Sequence, residues 1–220
     1  MISSQNTIDT LNQHVSIRHY TEAGIDDDTL LTLLNAARRS PTSSNTQTYS
    51  FVVVRDPATK KTLAELAGNQ RHIETCPVFV ACCADTSRLQ RACELHGQTL
   101  ARNTESALVA VVDASIAGMS LATAAESIGL GTVMIGGMRN HPEAVAELLG
   151  LPDGAFVVYG LCMGWPADRP PQKPRLPQET VIHFERYSHE DPTAALEAYD
   201  RDLAQHYRDE GRSTPDAAWT

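Results

Sequence analysis

Residues 104–128 read TESALVAVVDASIAGMSLATAAESI, and this run decides the architecture of the chain. It is apolar on most sides and ends at Gly129 and Gly131, which predicts a long helix in the middle of the fold. Its length also raises the question of a membrane span. Asp113 interrupts it, Ala, Ser and Thr are frequent in it, and it lacks a basic flank. A buried core helix is therefore the favoured prediction.

Short apolar runs on both sides of this helix predict strands, at residues 49–55, 77–84, 132–135, 155–163 and, more briefly, 181–187. Capping residues, prolines and helical periodicity predict further helices at residues 8–15, 26–39, 57–68, 86–93, 142–149 and 191–208. Helices that alternate with a few apolar strands predict an α+β or α/β domain of three layers.

The composition sets the class of protein. The chain has 220 residues with a formal net charge of -9, enough for one core, which we expect in residues 1–208, followed by a flexible tail at 209–220. The acidic surface disfavours nucleic acid and anionic membranes. The polar start of the chain shows no signal peptide, and its five cysteines suit small buried side chains in a reducing cytoplasm.

Four short segments stand out in this acidic chain. Residues 14–20, HVSIRHY, bring together an imidazole, a hydroxyl and a guanidinium, and residues 173–175 place two cations around a proline. These groups suit an anion such as a phosphate, or equally a solvated surface. Residues 136–137 are a glycine pair that allows a flat ring close to the backbone, or an ordinary tight turn. Residues 42–45, TSSN, offer hydroxyls that bind a ligand or complete their own turn.

Several other chemistries lack support in the sequence. Gly129-Leu130-Gly131 follows a helix and precedes a strand, whereas a dinucleotide fingerprint has the opposite order. No GxSxG elbow, HExxH pattern or paired Cys and His spacing occurs, so nucleophilic hydrolysis and metal catalysis are disfavoured.

Taken together, these segments resemble the nitroreductase superfamily, from about residue 8 to about residue 207. The resemblance rests on order and spacing, and extends through IGGMRN at 135–140, GLCMGWP at 160–166 and KPRLP at 173–177. These last motifs are most similar to the group of oxygen-insensitive NADPH nitroreductases and NADPH–FMN flavin reductases. The resemblance implies a mixed central sheet flanked by helices, a homodimer with the long apolar helix at its interface, and FMN bound at each subunit interface.

The resemblance also implies the residues that bind FMN. His14, Ser16, Lys173 and Arg175 would lie at its phosphate, Arg18 and Gln70 at the pyrimidine edge of the ring, and Ile135, Gly136 and Gly137 along the ring near N5. Thr42, Ser43 and Ser44 would contact the flavin, across the dimer interface. Asn45 would line the substrate pocket, and Arg139 would face the nicotinamide nucleotide or the substrate. No side chain would act as a catalytic residue, because flavin N5 carries the chemistry.

The implied function is an FMN-dependent NAD(P)H oxidoreductase that passes hydride by a ping-pong cycle to nitroaromatics, quinones or similar acceptors. Alternatives are a flavin reductase that supplies reduced FMN to a partner, and a non-enzymatic module that binds or stores flavin. Val15 stands where close relatives carry a basic residue, and this sequence ends at Thr220 before a further basic segment of those relatives. We expect weaker FMN binding from the first difference, and the second leaves NADPH or NADH open as the donor.

Overall fold

The computed structural model describes residues 6–212 and 219. The chain divides into two compact units, Met1–Pro170 and Pro171–Thr220. The predicted domain at residues 1–208 thus includes the boundary between them. Most of the predicted tail at 209–220 lies outside the described residues, which omit 213–218 and 220.

In the described residues of the first unit there are seven α-helices and four strands. In chain order they are α1 (Thr7–Asn12), α2 (Asp27–Ala37), β1 (Tyr49–Val54), α3 (Pro57–Leu66), α4 (Arg71–Thr75), β2 (Val78–Asp85), α5 (Ser87–Leu95), α6 (Thr104–Ser127), β3 (Gly131–Ile135), α7 (Pro142–Leu148) and β4 (Ala155–Gly164). Side-chain caps explain where several helices start. The carboxylates of Asp26 and Asp56 each accept a hydrogen bond from the backbone N–H three residues later, and Asn103 forms a capping box with Ser106.

The four strands form one sheet in the order β1-β2-β4-β3. All three pairings are antiparallel. Among the described residues, parallel pairing is limited to one isolated bridge between Ser16 and Thr132. The predicted mixed sheet is thus an antiparallel sheet with a single parallel bridge beside β3.

The sheet is covered on both faces, which confirms the three-layer α+β architecture. Alternate residues of β2 pack in different core clusters: Val80 and Cys82 lie with α2 and α6, whereas Phe79 and Cys83 lie with α3, α4 and α7. Because both faces of the sheet are covered at this strand, β2 is apolar from Val78 to Ala84. The five cysteines are free, and all except Cys93 are buried.

Helix α6 extends over 24 residues, as the sequence predicted, and packs on α2 and on the sheet. It is the one helix in the described part of the chain that by length and composition could cross a membrane. However, its buried face includes Asp113, at 1% exposure, together with small residues from Ala110 to Ala125. These contacts make it the core helix of this unit.

The second unit contains α8 (Thr193–Asp209), which buries Leu203 and Ala204. The strand predicted at residues 181–187 is wrong: this segment has no strand structure, and Phe184 is 81% exposed. Apolar residues in a short run form a strand only where a neighbouring strand pairs with them. Conversely, the five-residue helix α4 is too short to show a helical period, and the sequence did not reveal it.

Candidate functional site

The segment that follows α1 runs alongside β3. Ser16 forms a parallel bridge with Thr132, and the Ile17 amide donates to the Thr132 carbonyl at 2.9 Å. Ile17 is buried, which turns the neighbouring Ser16 and Arg18 to the opposite side of this extended segment. Among the described residues, neither the Ser16 hydroxyl nor the Arg18 guanidinium has a hydrogen-bond or ion-pair partner. Both are therefore available to a ligand.

The His14 side chain is hydrogen-bonded to the core helix α6. Its Nδ1 lies 2.9 Å from Oε1 and 3.0 Å from Oε2 of Glu126, in the last turn of α6. Thr132 donates its hydroxyl to the same Oε1 at 2.6 Å. One carboxylate thus fixes the imidazole ring and links it to β3. The contact of Glu126 with His14 could not be predicted from local sequence, because 112 residues separate the two.

The end of β3 brings the glycine pair against Gln70. Residues Gly136–Arg139 form a 3-10 turn directly after the strand. A Cβ on Gly137 would lie 2.6 Å from the Ala67 carbonyl oxygen and 2.7 Å from Nε2 of Gln70. Only glycine fits there, and the close approach places Gln70 beside the turn. The Gln70 amide donates to the Ala67 carbonyl at 2.8 Å.

The buried and exposed residues of this turn have different surroundings. Ile135 is buried and Gly136 is exposed, so the backbone at Gly136 faces solvent. Arg139 donates from its guanidinium to the Val158 carbonyl at 2.5 Å. A Cβ on Gly136 would lie 3.3 Å from the same guanidinium. The Arg139 side chain therefore lies beside Gly136 of the same turn, and β4 already uses part of its donor capacity.

His72 is a further polar group that sequence reasoning did not single out. Its Nε2 is buried and has no hydrogen-bond partner among the described residues. Burial lowers the pKa of His72, and the charges of Arg18 and His19 lower it further. Because those charges act on it, His72 belongs to the same region as Arg18. It lies in α4, the short helix that the sequence did not reveal.

The loop that contains Thr42, Ser43, Ser44 and Asn45 is attached to α6 at another place. Oδ1 of Asp113 accepts from the Ser43 amide at 3.0 Å, and Oδ2 accepts from the Thr48 amide at 3.1 Å and from the Thr48 hydroxyl at 2.7 Å. The sequence showed Asp113 only as an interruption of an apolar helix. A buried carboxylate needs such donors, because without them its burial is costly.

This loop has an unusual backbone. Ser44, Asn45 and Gln47 have φ values of 48°, 56° and 53°, in the left-handed region. Such conformations cost roughly 1–3 kcal/mol each in residues other than glycine and persist where surrounding contacts hold them. Asp113 supplies those contacts on one side, and Arg88 donates to the Gln47 and Tyr49 carbonyls on the other.

Lys173 and Arg175 lie in the second unit. Lys173 Nζ lies 3.3 Å from the Tyr207 hydroxyl and 5.1 Å from the centre of its ring. Arg175 donates to the carbonyls of Lys173 and Pro174, at 3.0 and 3.2 Å. Both side chains are exposed, and no carboxylate pairs with either among the described residues. Their predicted place at a phosphate stays a prediction.

Two family models match the chain. Residues 11–165 match the nitroreductase family, and residues 173–220 match the C-terminal domain of the nitroreductase family.

Individual proteins match over nearly the whole chain. The chain is 41% identical to an oxygen-insensitive NADPH nitroreductase of Salmonella typhimurium, over 97% of this chain and 88% of that protein. It is 42% identical to an FMN reductase [NAD(P)H] of Bacillus subtilis, over 94% of this chain and 86% of that protein. The solved structure of B. megaterium NfrA2 is 40% identical, with a TM-score of 0.93 over 98% of this chain and 88% of the other.

Proposed function

The chain belongs to the nitroreductase family, and on this premise we propose that it is an FMN-dependent oxidoreductase. It takes electrons from NADPH or NADH and passes them to a small-molecule acceptor such as a nitroaromatic compound or a quinone. Relatives named as an NADPH nitroreductase and as an FMN reductase support this class of reaction. The name of the second relative also supports free flavin as an acceptor.

One observation about the structure carries the proposal. In a chain with a net charge of -9, polar groups without partners lie in the segment that is bridged to β3 and in α4. The Ser16 hydroxyl and the Arg18 guanidinium have no partner among the described residues, and the same holds for the buried Nε2 of His72. The backbone at Gly136, directly after β3, is exposed. A polar, anionic ligand with a flat ring fits such a set of groups.

FMN fits these residues, and each has a separate task. Ser16 and His14 would bind the phosphate, and a phosphate contact of Lys173 and Arg175 in the second unit stays a prediction from the sequence. Gln70 would hydrogen-bond the pyrimidine edge of the ring, while Ile135, Gly136 and Gly137 support the ring along their backbone. Arg18 holds a positive charge that no carboxylate neutralises in the described part of the chain, so it favours negative charge at that edge. FMN, when bound, supplies the two-electron redox chemistry.

We further propose that the protein is a homodimer that pairs through α6. The exposed side of this helix carries Leu108, Val112, Ile116 and Met119, at 58%, 47%, 37% and 38% exposure. A contiguous apolar surface of this kind is typical of a protein–protein interface. It borders a cavity of about 360 Å³ that Pro41, Thr42 and Ser43 also line.

The dimer explains why the loop at residues 42–45 belongs to the site. Asp113, which holds this loop, and Glu126, which holds His14, lie on the same helix about 20 Å apart, at 1.5 Å per residue. The loop would therefore contact the flavin of the partner subunit. Asn45 would line the substrate pocket there, and Arg139 would contact the nucleotide or the substrate. We place the protein in the cytoplasm as a soluble enzyme.

The test is anaerobic mixing of FMN-loaded protein with NADPH, and separately with NADH, while the flavin absorbance is followed. We expect fast bleaching with at least one donor. Arg18→Gln should slow the bleaching, whereas Arg39→Gln, at an exposed position without a hydrogen-bond partner in the described residues, should leave it unchanged. Bound flavin that neither donor reduces would contradict the proposal and favour a flavin-binding module.

The same assay separates the two enzymatic readings. Turnover on free FMN is compared with turnover on a nitroaromatic acceptor at equal concentration. A large ratio in favour of FMN would favour a flavin reductase that supplies reduced flavin to a partner.

A further inference from the structure

Glu126 occupies a place that is unfavourable for a carboxylate. Its side chain is only 11% exposed, and it lies in the last turn of α6, where the helix dipole disfavours a negative charge. Burial of a charge without a partner is costly. Among the described residues, His14 is its only ion-pair partner. His14 therefore compensates the cost of burying the Glu126 carboxylate.

The contact fixes both the direction and the charge of the imidazole. Because Nδ1 lies within hydrogen-bond distance of both Glu126 oxygens, it is the protonated nitrogen, and Nε2 is turned away from the carboxylate. A carboxylate at this distance favours the imidazolium form of the ring. In that form Nε2 is a charged donor, which binds a phosphate oxygen more strongly than a neutral donor does.

A second contact connects the pair to the neighbouring ligand group. Thr132 donates its hydroxyl to Glu126, and its backbone forms the bridge to Ser16. His14 contacts the same carboxylate oxygen as the Thr132 hydroxyl, and Ser16 follows two residues later in the chain. One strand residue thus keeps the carboxylate, the imidazole and the hydroxyl in a fixed relation.

We propose that Glu126 is a positioning residue for the phosphate group of the flavin nucleotide, which it serves by keeping His14 protonated and directed at that group. This inference rests on the proposed FMN site and adds a residue that does not itself touch the ligand. Glu126 from α6 is a charged group in contact with the imidazole, and Glu126 also lines a small cavity together with Arg169.

The experiment compares FMN with riboflavin, which has the same ring but no phosphate. Dissociation constants for both are measured by quenching of flavin fluorescence in apo protein. For Glu126→Gln we expect the dissociation constant for FMN to rise about tenfold, as the loss of one charge-assisted hydrogen bond predicts, and that for riboflavin to stay unchanged. Glu147→Gln is the matched control, since Glu147 is an exposed glutamate in the last turn of α7. It should change neither constant.

His14 provides the test of mechanism. In a His14→Gln background, Glu126→Gln should have no further effect on FMN, because the carboxylate acts through the imidazole. Equal weakening of FMN and riboflavin by Glu126→Gln would overturn the inference in favour of a general structural role. No change in either constant would overturn it as well.

A measurement on the wild-type protein covers the case in which Glu126→Gln does not fold. The nitrogen-15 shifts of the His14 ring in apo protein at neutral pH should show two protonated nitrogens, and a neutral ring would overturn the inference. Wild-type protein that binds neither flavin would instead refute the proposed function, so the two failures are distinguishable.

Discussion

Replacement of Asp113 by asparagine tests whether the core helix holds the loop of the candidate site. The carboxylate accepts from three donors, the amides of Ser43 and Thr48 and the Thr48 hydroxyl. An amide offers one acceptor oxygen instead of two. Turned one way, the asparagine keeps both buried donors of Thr48 and presents an N–H group to the Ser43 amide; turned the other way, it leaves both Thr48 donors without an acceptor.

The magnitude follows from the number of donors left unpaired. A hydrogen bond to a charged group such as this carboxylate contributes about 1.5–3 kcal/mol. One lost bond therefore predicts a decrease of about 2 kcal/mol in the free energy of unfolding, and for a chain of this size about 4–8 °C in Tm. The loop should also open more often, because the left-handed backbone at Ser44, Asn45 and Gln47 loses part of its support.

The assay is urea and thermal unfolding of apo protein at one fixed concentration, combined with limited proteolysis and identification of the cut sites. Asp202→Asn is the control, as it makes the same chemical change at an exposed position of α8. We expect a lower stability and new cuts within residues 42–48 for Asp113→Asn alone. Unchanged stability would refute the reasoning on the three bonds. Lower stability with no change in cleavage of the loop would show that Arg88 suffices to hold it.

Three further predictions concern other parts of the site. Gly137→Ala should reduce stability by about 1–3 kcal/mol, because a Cβ meets the Ala67 carbonyl at 2.6 Å, whereas Gly24→Ala has open space and should be neutral in urea unfolding. Burial lowers the pKa of His72, so below the ordinary histidine pKa of about 6.5 the unfolded chain binds more protons than the folded protein does. The free energy of unfolding should therefore decrease as the pH falls below that value. His72→Gln should flatten this pH dependence in unfolding titrations. Val112→Glu, which adds a charge to the exposed side of α6, should shift the protein to a monomer in light scattering and weaken FMN binding.

The layers of the fold were predictable from the sequence because their signals are local. β2 is apolar from Val78 to Ala84 because both of its faces are buried. Asn103 marks the start of α6 by a capping box. The segment at residues 181–187 shows the limit of such signals. Its apolar residues are exposed, and whether a strand forms there depends on a pairing partner that the local sequence does not reveal.

The sequence predicted the side chains that would contact the ligand, but it did not predict the residues that hold those segments in place. Ser16 and Arg18 stand out as polar groups in a short basic segment, and the structure leaves both without partners among the described residues. Glu126 and Asp113 act across 112 and 65–70 residues of sequence, respectively. Pairings over such separations arise only when the chain has folded, so no spacing rule announces them.

These two carboxylates explain why a helix that is apolar on most sides still carries two acidic residues in its middle and at its end. At 100° per residue, Asp113 and Glu126 point about 140° apart around the axis of α6. One therefore reaches the loop before β1 and the other reaches the segment beside β3. Because the same helix is fixed in the core by its small residues, the positions of both segments are fixed relative to each other. In the proposed dimer these two segments serve the flavin sites of different subunits, so the core helix would supply rigidity to both sites.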